Sequence, residues 1–205
     1  MTETTKPKLL KSRQLHSRLF AVLAIFLLLT TSPQMPSDSL LRSVMLWVGY
    51  VLIIVGAFGR VYCSAFIGGR KNKSVIRSGP FSVVRNPLYV FSFIATLGIG
   101  LQSGMWVVAL GLALIYIVYY PFVVKKEEAF LAHKFDESYA VYLREVPRWI
   151  PDFKLWNEPV SIECHPRNIR DTIRDAAVFF LPLPAFVLIN YLQVSGILPV
   201  WLTLP

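Results

Sequence analysis

Apolar residues in this sequence are grouped in four long runs that polar segments separate. The runs cover residues 19–31, 41–66, 88–124 and 176–204. Helices that are apolar on all sides are typical of membrane spans, where lipid replaces water as the solvent. The pattern therefore predicts an all-α, polytopic membrane protein.

The third run is too long for a single crossing. As one helix, residues 88–124 would extend about 55 Å, against about 30 Å of hydrocarbon. Polar and glycine residues interrupt the run near its middle, namely Gly98, Gly100, Gln102, Ser103 and Gly104. Because such residues favour turns, we expect a tight helical hairpin, and hence about five transmembrane helices.

The basic residues support this topology independently. Of the 21 Lys and Arg residues, five precede the first run, six lie at 60–85 and nine lie at 125–174. In a five-span arrangement only Arg42 falls on the other side. The positive-inside rule then predicts that the amino terminus and both basic segments are cytoplasmic. The formal charge of +9 therefore reflects membrane topology, and no nucleic-acid partner is predicted.

Composition agrees with a membrane protein of one domain. Hydrophobic residues make up 55% of the chain and charged residues 16%, and the mean hydropathy is +0.53. We expect one unit over residues 1–205, in which 1–66 carry two spans and 176–205 the last. Residues 67–175 would supply a polar loop, the hairpin and a cytosolic amphipathic helix.

Two polar segments next to the spans carry candidate chemistry. In the first, Pro87 biases Asn86 away from helix and suits the first turn of the next helix. Arg85, Asn86 and Tyr89 should therefore cluster at the mouth of the third run. An Arg beside helix amino-terminal N–H groups suits an anionic group. The same residue types also serve as interfacial anchors.

The second segment is the predicted amphipathic helix. Five of its residues recur at intervals of three and four and so share one helix face. They are Glu128 and the apolar or aromatic residues Leu131, Phe135, Tyr139 and Tyr142. Glu127 and Glu128 begin this segment at the membrane boundary. They could accept hydrogen bonds from a ribose or a cationic group, or could balance Lys125 and Lys126.

Arg148 follows a turn proline and lies between Val146 and Trp149. Its guanidinium could bind a carboxylate or phosphate in a partly apolar pocket. It could equally extend toward lipid phosphates. No metal site is predicted, because Cys164 and His165 stand together without a second pair of ligands.

Together the two segments read GPF-x3-RNPLY and, about forty residues later, EE-x2-L-x3-F-x3-Y-x2-Y-x3-VPR-x2-P. This joint pattern resembles the isoprenylcysteine carboxyl methyltransferases and their bacterial relatives, which are related to the membrane phospholipid N-methyltransferases. The resemblance covers roughly residues 68–151. It implies a methyltransferase that binds S-adenosylmethionine on the cytoplasmic side and methylates a lipid-like or prenylated acceptor.

The resemblance also implies roles for particular residues. Cofactor binding would fall to the first motif and the paired glutamates, namely Arg85, Asn86, Pro87, Tyr89, Glu127 and Glu128. Substrate binding would fall to the third motif, namely Tyr139, Tyr142 and Arg148. Arg148 and the two glutamates would be the catalytic residues. The chain departs from the family at Asn86, where histidine is usual, and an amide cannot serve as a proton-transfer base.

The implied reaction is a displacement at the sulfonium methyl. For an isoprenylcysteine-type carboxylate, Arg148 would orient the acceptor and no base is needed. A phosphatidylethanolamine amine would instead need a base, for which Glu127 or Glu128 is nearest. A non-catalytic membrane protein that retains cofactor binding is the third alternative.

Overall fold

The computed structural model describes residues 28–68, 73–162 and 164–205. Its elements are, in chain order, β1 (Thr31–Pro33), α1 (Leu40–Ile67), α2 (Pro80–Val83), α3 (Pro87–Gln102), α4 (Trp106–Glu145), a 3-10 turn (Phe153–Leu155), α5 (Pro166–Ala177), a second 3-10 turn (Val178–Phe180), α6 (Pro182–Val194) and β2 (Leu202–Leu204). Helices dominate, which confirms the predicted all-α class. The first predicted span, 19–31, lies almost entirely outside the described residues.

Three helical segments are long and apolar enough to cross a membrane: Leu40–Ile67, Trp106–Glu145 and Pro166–Val194. A fourth apolar helix, α3, has 16 residues, about 24 Å of helix. It is therefore shorter than a usual span. Five transmembrane helices remain a prediction.

The hairpin within the third apolar run is present. α3 ends at Gln102 and α4 begins at Trp106, and Gly104 in the turn has a φ of 74°. The turn is thus confined to Ser103, Gly104 and Met105. Gly98 and Gly100 lie within α3 instead, where they serve packing.

The first part of the predicted cytosolic helix continues the membrane helix without a break as far as Asp136. α4 runs through the paired glutamates to Glu145 and is interrupted at Asp136, whose φ is 44°. Lys, Glu and Ala are strong helix formers, so nothing in residues 125–135 ends the helix at the membrane boundary. This continuity holds Glu127 and Glu128 rigidly beneath the hairpin.

Small residues let α1 and α3 pack closely. A Cβ added at Gly98 would lie 2.6 Å from the Gly49 carbonyl oxygen, and one at Gly56 would lie 2.6 Å from the Ala95 Cβ. Such contacts bring backbones together where lipid provides no hydrophobic drive for association. The α1–α3 pair forms the frame on which the site is built.

The carboxy-terminal part differs from its prediction in two respects. The 3-10 turn at Val178–Phe180 and Pro182 at the start of α6 break the last span, which agrees with the expected proline kink. However, α6 ends at Val194 and not near residue 204. The chain then forms β2, which pairs in parallel with β1, and apolar composition gave no sign of this strand pair.

Candidate functional site

The site forms where the loop before α3 docks on the end of α4. The Arg85 N–H donates to the Pro147 carbonyl at 2.9 Å, and the Asp152 N–H donates to the Val83 carbonyl at 2.9 Å. Pro87 is fully buried as the first residue of α3. Two segments separated by about sixty residues are therefore joined through their backbones.

Gly79 makes the turn that leads into this loop. Its φ is 56°, a region that L side chains rarely adopt. A Cβ here would lie 2.3 Å from Cε1 of Phe66, and the Gly79 N–H donates to the Asn157 carbonyl at 2.7 Å. A residue other than glycine would displace the loop from α1.

The Arg85 guanidinium is used in contacts that hold the loop against the end of α4. Its Nε donates to the Val146 carbonyl and its Nη2 to the Leu143 carbonyl. Its Nη1 lies 3.8 Å from Oε1 of Glu128. The guanidinium thus satisfies the carbonyls at the end of α4, which have no partner within the helix.

Glu128 is the centre of the polar network. It is buried, with 5% of its surface exposed. Arg148 holds it through two bonds, Nε to Oε1 at 3.2 Å and Nη2 to Oε2 at 2.7 Å, and the Asn86 amide donates to Oε1 at 3.2 Å. A buried carboxylate needs such partners because desolvation penalises the bare charge. Asn86 therefore donates to a carboxylate at the position where the resemblance led us to expect histidine.

Glu127 occupies a different environment. It is exposed, and its Oε2 accepts a hydrogen bond from the Tyr89 hydroxyl at 2.9 Å. The Tyr89 carbonyl in turn accepts from the Tyr116 hydroxyl at 2.8 Å. The two adjacent glutamates thus differ in role: Glu128 is held inside, whereas Glu127 is available at a surface.

Tyr139 and Tyr142 form a buried cluster with Val146. The Tyr142 hydroxyl donates to the Phe81 carbonyl at 2.8 Å. Both tyrosines lie more than a dozen residues beyond the apolar part of α4. Burial and, to a smaller extent, the Glu128 charge together raise the pKa of the Tyr139 phenol to about 12. Burial also raises the pKa of the Tyr142 phenol. Both phenols therefore remain protonated donors at neutral pH.

A cavity of about 150 Å³ opens between these segments. Its polar lining includes Arg85, Asn86, Tyr89 and Glu127. Its apolar and aromatic lining includes Phe81, Leu131, Phe135, Tyr139 and Tyr142. The structure thus brings both predicted motifs to one cavity. Arg148 and Glu128 lie behind its wall and are not part of its lining.

A second cavity of about 330 Å³ lies on the other side of Tyr89. Its lining is almost wholly aromatic or aliphatic: Tyr89, Val90, Phe93, Tyr116, Ile117, Tyr120, Pro121 and Trp149. The rings of Tyr116 and Tyr120 are stacked with centroids 3.7 Å apart. Sequence reasoning missed this cavity. The tyrosines at 116, 119 and 120 within an apolar run were the available signal.

Comparison with known proteins connects this geometry to a family. The model of the phospholipid methyltransferase family matches residues 39–138. The cobalt-zinc-cadmium resistance protein CzcN of Cupriavidus metallidurans is 34% identical over 148 residues, which cover 69% of this chain and 68% of that protein. The chain belongs to the phospholipid methyltransferase family.

Other relatives of this family member point in two directions. The nickel-cobalt-cadmium resistance protein NccN of Alcaligenes xylosoxydans xylosoxydans is 28% identical over 166 residues, covering 81% of this chain and 77% of that protein. The protein-S-isoprenylcysteine O-methyltransferase of Schizosaccharomyces pombe is 32% identical over 90 residues, covering 43% and 38%. No solved structure matches the chain.

These comparisons confirm the resemblance to the isoprenylcysteine and phospholipid methyltransferases. The family and the apolar helices together make the protein an integral membrane protein of a methyltransferase family. The family match ends at residue 138, so it includes the Asn86 to Tyr89 turn and both glutamates. It stops before Tyr139, Tyr142 and Arg148.

Proposed function

We propose that this protein is an S-adenosylmethionine-dependent methyltransferase that acts at the cytoplasmic membrane interface on a lipid-like acceptor. The carboxylate of an isoprenylcysteine-type substrate is the acceptor we favour. The observation that carries the proposal is the position of Tyr89. It lines both the partly polar cavity beside Glu127 and the apolar aromatic cavity between α3 and α4.

The partly polar cavity suits the cofactor. Glu127 is exposed, lines the cavity and can accept hydrogen bonds from ribose hydroxyls or an amino group. The rings of Phe81, Phe135 and Tyr139 offer apolar surface to a purine. Asn86 and Tyr89 supply further polar groups at the start of α3. The polar side chains suit the hydroxyl and amino groups of S-adenosylmethionine, and the aromatic rings suit its purine.

The aromatic cavity suits the apolar part of the acceptor. It lies between two membrane helices, so a lipid chain can reach it from the bilayer while a soluble cofactor enters from water. Binding an aliphatic chain there would remove apolar surface from solvent or from loosely packed lipid. Tyr89, which lines both cavities, would then contact both reactants at the place where they meet.

The chain's own part in the reaction is alignment and exclusion of water. When bound, S-adenosylmethionine supplies an electrophilic methyl group on a sulfonium. An acceptor carboxylate is already ionised, so its oxygen can bond to the methyl carbon as the carbon–sulfur bond breaks, with the bonding pair leaving on sulfur. Glu128, held by Arg148 and Asn86, would fix the wall of the site so that the reactants meet in line.

Arg148 keeps a second role in this proposal. Its side chain is 38% exposed although its fork grips Glu128, so an acceptor carboxylate could share the guanidinium from its open side. An amine acceptor would require proton removal, and the exposed Glu127 is then the better base than the paired Glu128. Phosphatidylethanolamine therefore remains the alternative acceptor.

The experiment that tests the function uses purified protein in lipid nanodiscs. Isothermal titration measures binding of S-adenosylmethionine, and labelled methyl transfer is followed to N-acetyl-S-farnesylcysteine and to phosphatidylethanolamine. Label on the farnesylcysteine supports the favoured acceptor, and label on the amine lipid alone reverses the ranking. Binding without transfer to either would favour a non-catalytic protein, and no binding would refute the proposal.

The names of two relatives favour a second candidate function, a part in resistance to divalent metals. We propose that methylation of a membrane component would be its contribution. A deletion strain of the host should then lose resistance to cobalt or cadmium, and the wild-type gene should restore it. Restoration by Glu128→Gln as well would separate resistance from the site described above.

A further inference from the structure

Arg60 is a charged residue inside a membrane helix. It lies in α1, one of the segments long and apolar enough to cross the bilayer, two turns before the helix ends at Ile67. Placing a guanidinium in hydrocarbon is costly, and such residues usually face a partner, a cavity or a ligand. The contacts of Arg60 therefore indicate which kind of group its guanidinium can bind.

Its partners in the described part of the chain leave its charge uncompensated. Nη1 donates to the Ser92 hydroxyl, and the guanidinium carbon lies 5.6 Å from the centroid of the Phe179 ring. Nε is buried without a hydrogen-bond partner. Among the described residues, the ion pairs closer than 4.0 Å involve other arginines and not Arg60.

The other two arginines near the site are already engaged. Arg148 uses its fork on Glu128, and Arg85 donates to two carbonyls and lies next to the same carboxylate. Of these three guanidiniums, that of Arg60 has no carboxylate partner among the described residues, and its buried Nε has no acceptor. A buried anion would restore both its charge balance and its missing bond.

Arg60 is also close to the proposed reaction centre. Its partner Ser92 lies three residues after Tyr89, one helical turn along the same face of α3. The Ser92 hydroxyl donates to the Leu88 carbonyl at 2.7 Å, so it is fixed in place. Phe179 belongs to the break between α5 and α6, where the last span departs from regular helix.

From these contacts we infer that Arg60 binds the oxyanion of the acceptor at the cytoplasmic end of α1, beside Tyr89, and selects anionic lipid-like substrates. This inference rests on the proposed function, since it gives the acceptor's charged group a second guanidinium besides that of Arg148. Carboxylate and phosphate share the required chemistry. A methylated, neutral product would lose this ion pair and leave the site.

A direct binding experiment tests the inference without requiring turnover. Protein in nanodiscs of neutral lipid is titrated with N-acetyl-S-farnesylcysteine, with its methyl ester, and separately with S-adenosylmethionine. We expect the acid to bind about tenfold more tightly than the ester, as for one charge-assisted contact. Arg60→Gln should remove that preference while S-adenosylmethionine binding stays within about twofold.

Three variants separate binding from a merely structural role. Arg60→Lys should keep part of the preference for the acid, because it keeps the charge. Ser92→Ala breaks the contact between α1 and α3 but should preserve the preference, since it frees a donor for the ligand. Arg42→Gln changes an arginine at the other end of α1 and should leave the preference for the acid unchanged.

Two results with the variants would overturn the inference: equal loss of acid and ester affinity in Arg60→Gln, or loss of the preference in Ser92→Ala. A parallel titration compares lysophosphatidic acid with the uncharged monoacylglycerol. If lysophosphatidic acid is preferred over monoacylglycerol while the farnesylcysteine acid is not preferred over its ester, the anion is a phosphate. Absence of any preference in the wild type would also refute it. A preference without methyl transfer would leave the Arg60 site standing and refute the proposed function instead.

Discussion

The Glu128 carboxylate receives both arms of the Arg148 guanidinium, Nη2 to Oε2 at 2.7 Å and Nε to Oε1 at 3.2 Å. This ion pair connects α4 to the turn that follows the end of α4. The Asn86 side chain donates a third hydrogen bond to Glu128 and so connects the start of α3 as well. One carboxylate thereby holds together three parts of the site that lie far apart in sequence.

Glu128→Ala should weaken S-adenosylmethionine binding and lower stability while leaving the protein folded. It leaves Arg148 and Asn86 without their acceptor, which costs on the order of 2 kcal/mol because Arg148 stays partly solvated. Titration and thermal unfolding in detergent measure both effects. Glu137→Gln changes an exposed carboxylate on the same helix and is the control; equal losses in both variants would contradict the network.

Tyr89→Phe isolates one hydrogen bond. The ring keeps its contact with Tyr120, at a centroid distance of 5.4 Å, but Glu127 loses the donor at 2.9 Å. We expect affinity for S-adenosylmethionine to fall about fivefold, which corresponds to about 1 kcal/mol, the net size of a typical hydrogen bond. Tyr119→Phe, at an exposed position on α4, is the matched control. Unaltered affinity in Tyr89→Phe would remove Tyr89 from the cofactor site.

Arg148→Lys should reduce kcat about tenfold or more and change S-adenosylmethionine affinity little. An ammonium has no planar fork, so it cannot hold both oxygens of Glu128 at once. Steady-state kinetics with a saturating acceptor, together with titration of the cofactor, separate the two effects. Wild-type turnover in this variant would argue that Arg148 only anchors the chain at the lipid surface.

Gly98→Val should prevent stable folding. Its Cβ would lie 2.6 Å from the Gly49 carbonyl oxygen and 2.9 Å from the Ile53 nitrogen, both backbone atoms that cannot move without separating α1 from α3. Size-exclusion profiles in detergent measure the yield of folded protein. Gly111→Val is the control, because a Cβ there meets nothing within 4 Å; equal yields would contradict the packing described.

Labelling from opposite sides of the membrane tests the proposed orientation. Cys164 is exposed near the end of α1 that bears the site, whereas Cys63 is buried. A membrane-impermeant maleimide should therefore react with Cys164 from the cytoplasmic side only. Ser37→Cys in a Cys164→Ser background should react from the other side only. The reverse pattern would invert the topology, and reaction of both from one side would refute the spans.

Apolar run length, proline positions and glycine positions are local properties, and they sufficed to predict the helical class, the hairpin and the break near Pro182. The sequence did not show that the membrane helix continues through the paired glutamates as far as the kink at Asp136, because the step from lipid to water changes the solvent without breaking the helix. The β1–β2 pair escaped prediction since its two strands are about 170 residues apart.

The sequence by itself predicted that the two motifs lie near one membrane surface and, through the family resemblance, named seven of the residues that line the first cavity. Only the tertiary structure divided the roles of Glu127 and Glu128, because burial depends on what packs against each side of α4. It also showed the Arg148 fork engaged by Glu128 and Arg60 without a described carboxylate. Which charges are neutralised is decided by distances across the fold, and the order of residues along a chain does not contain those distances.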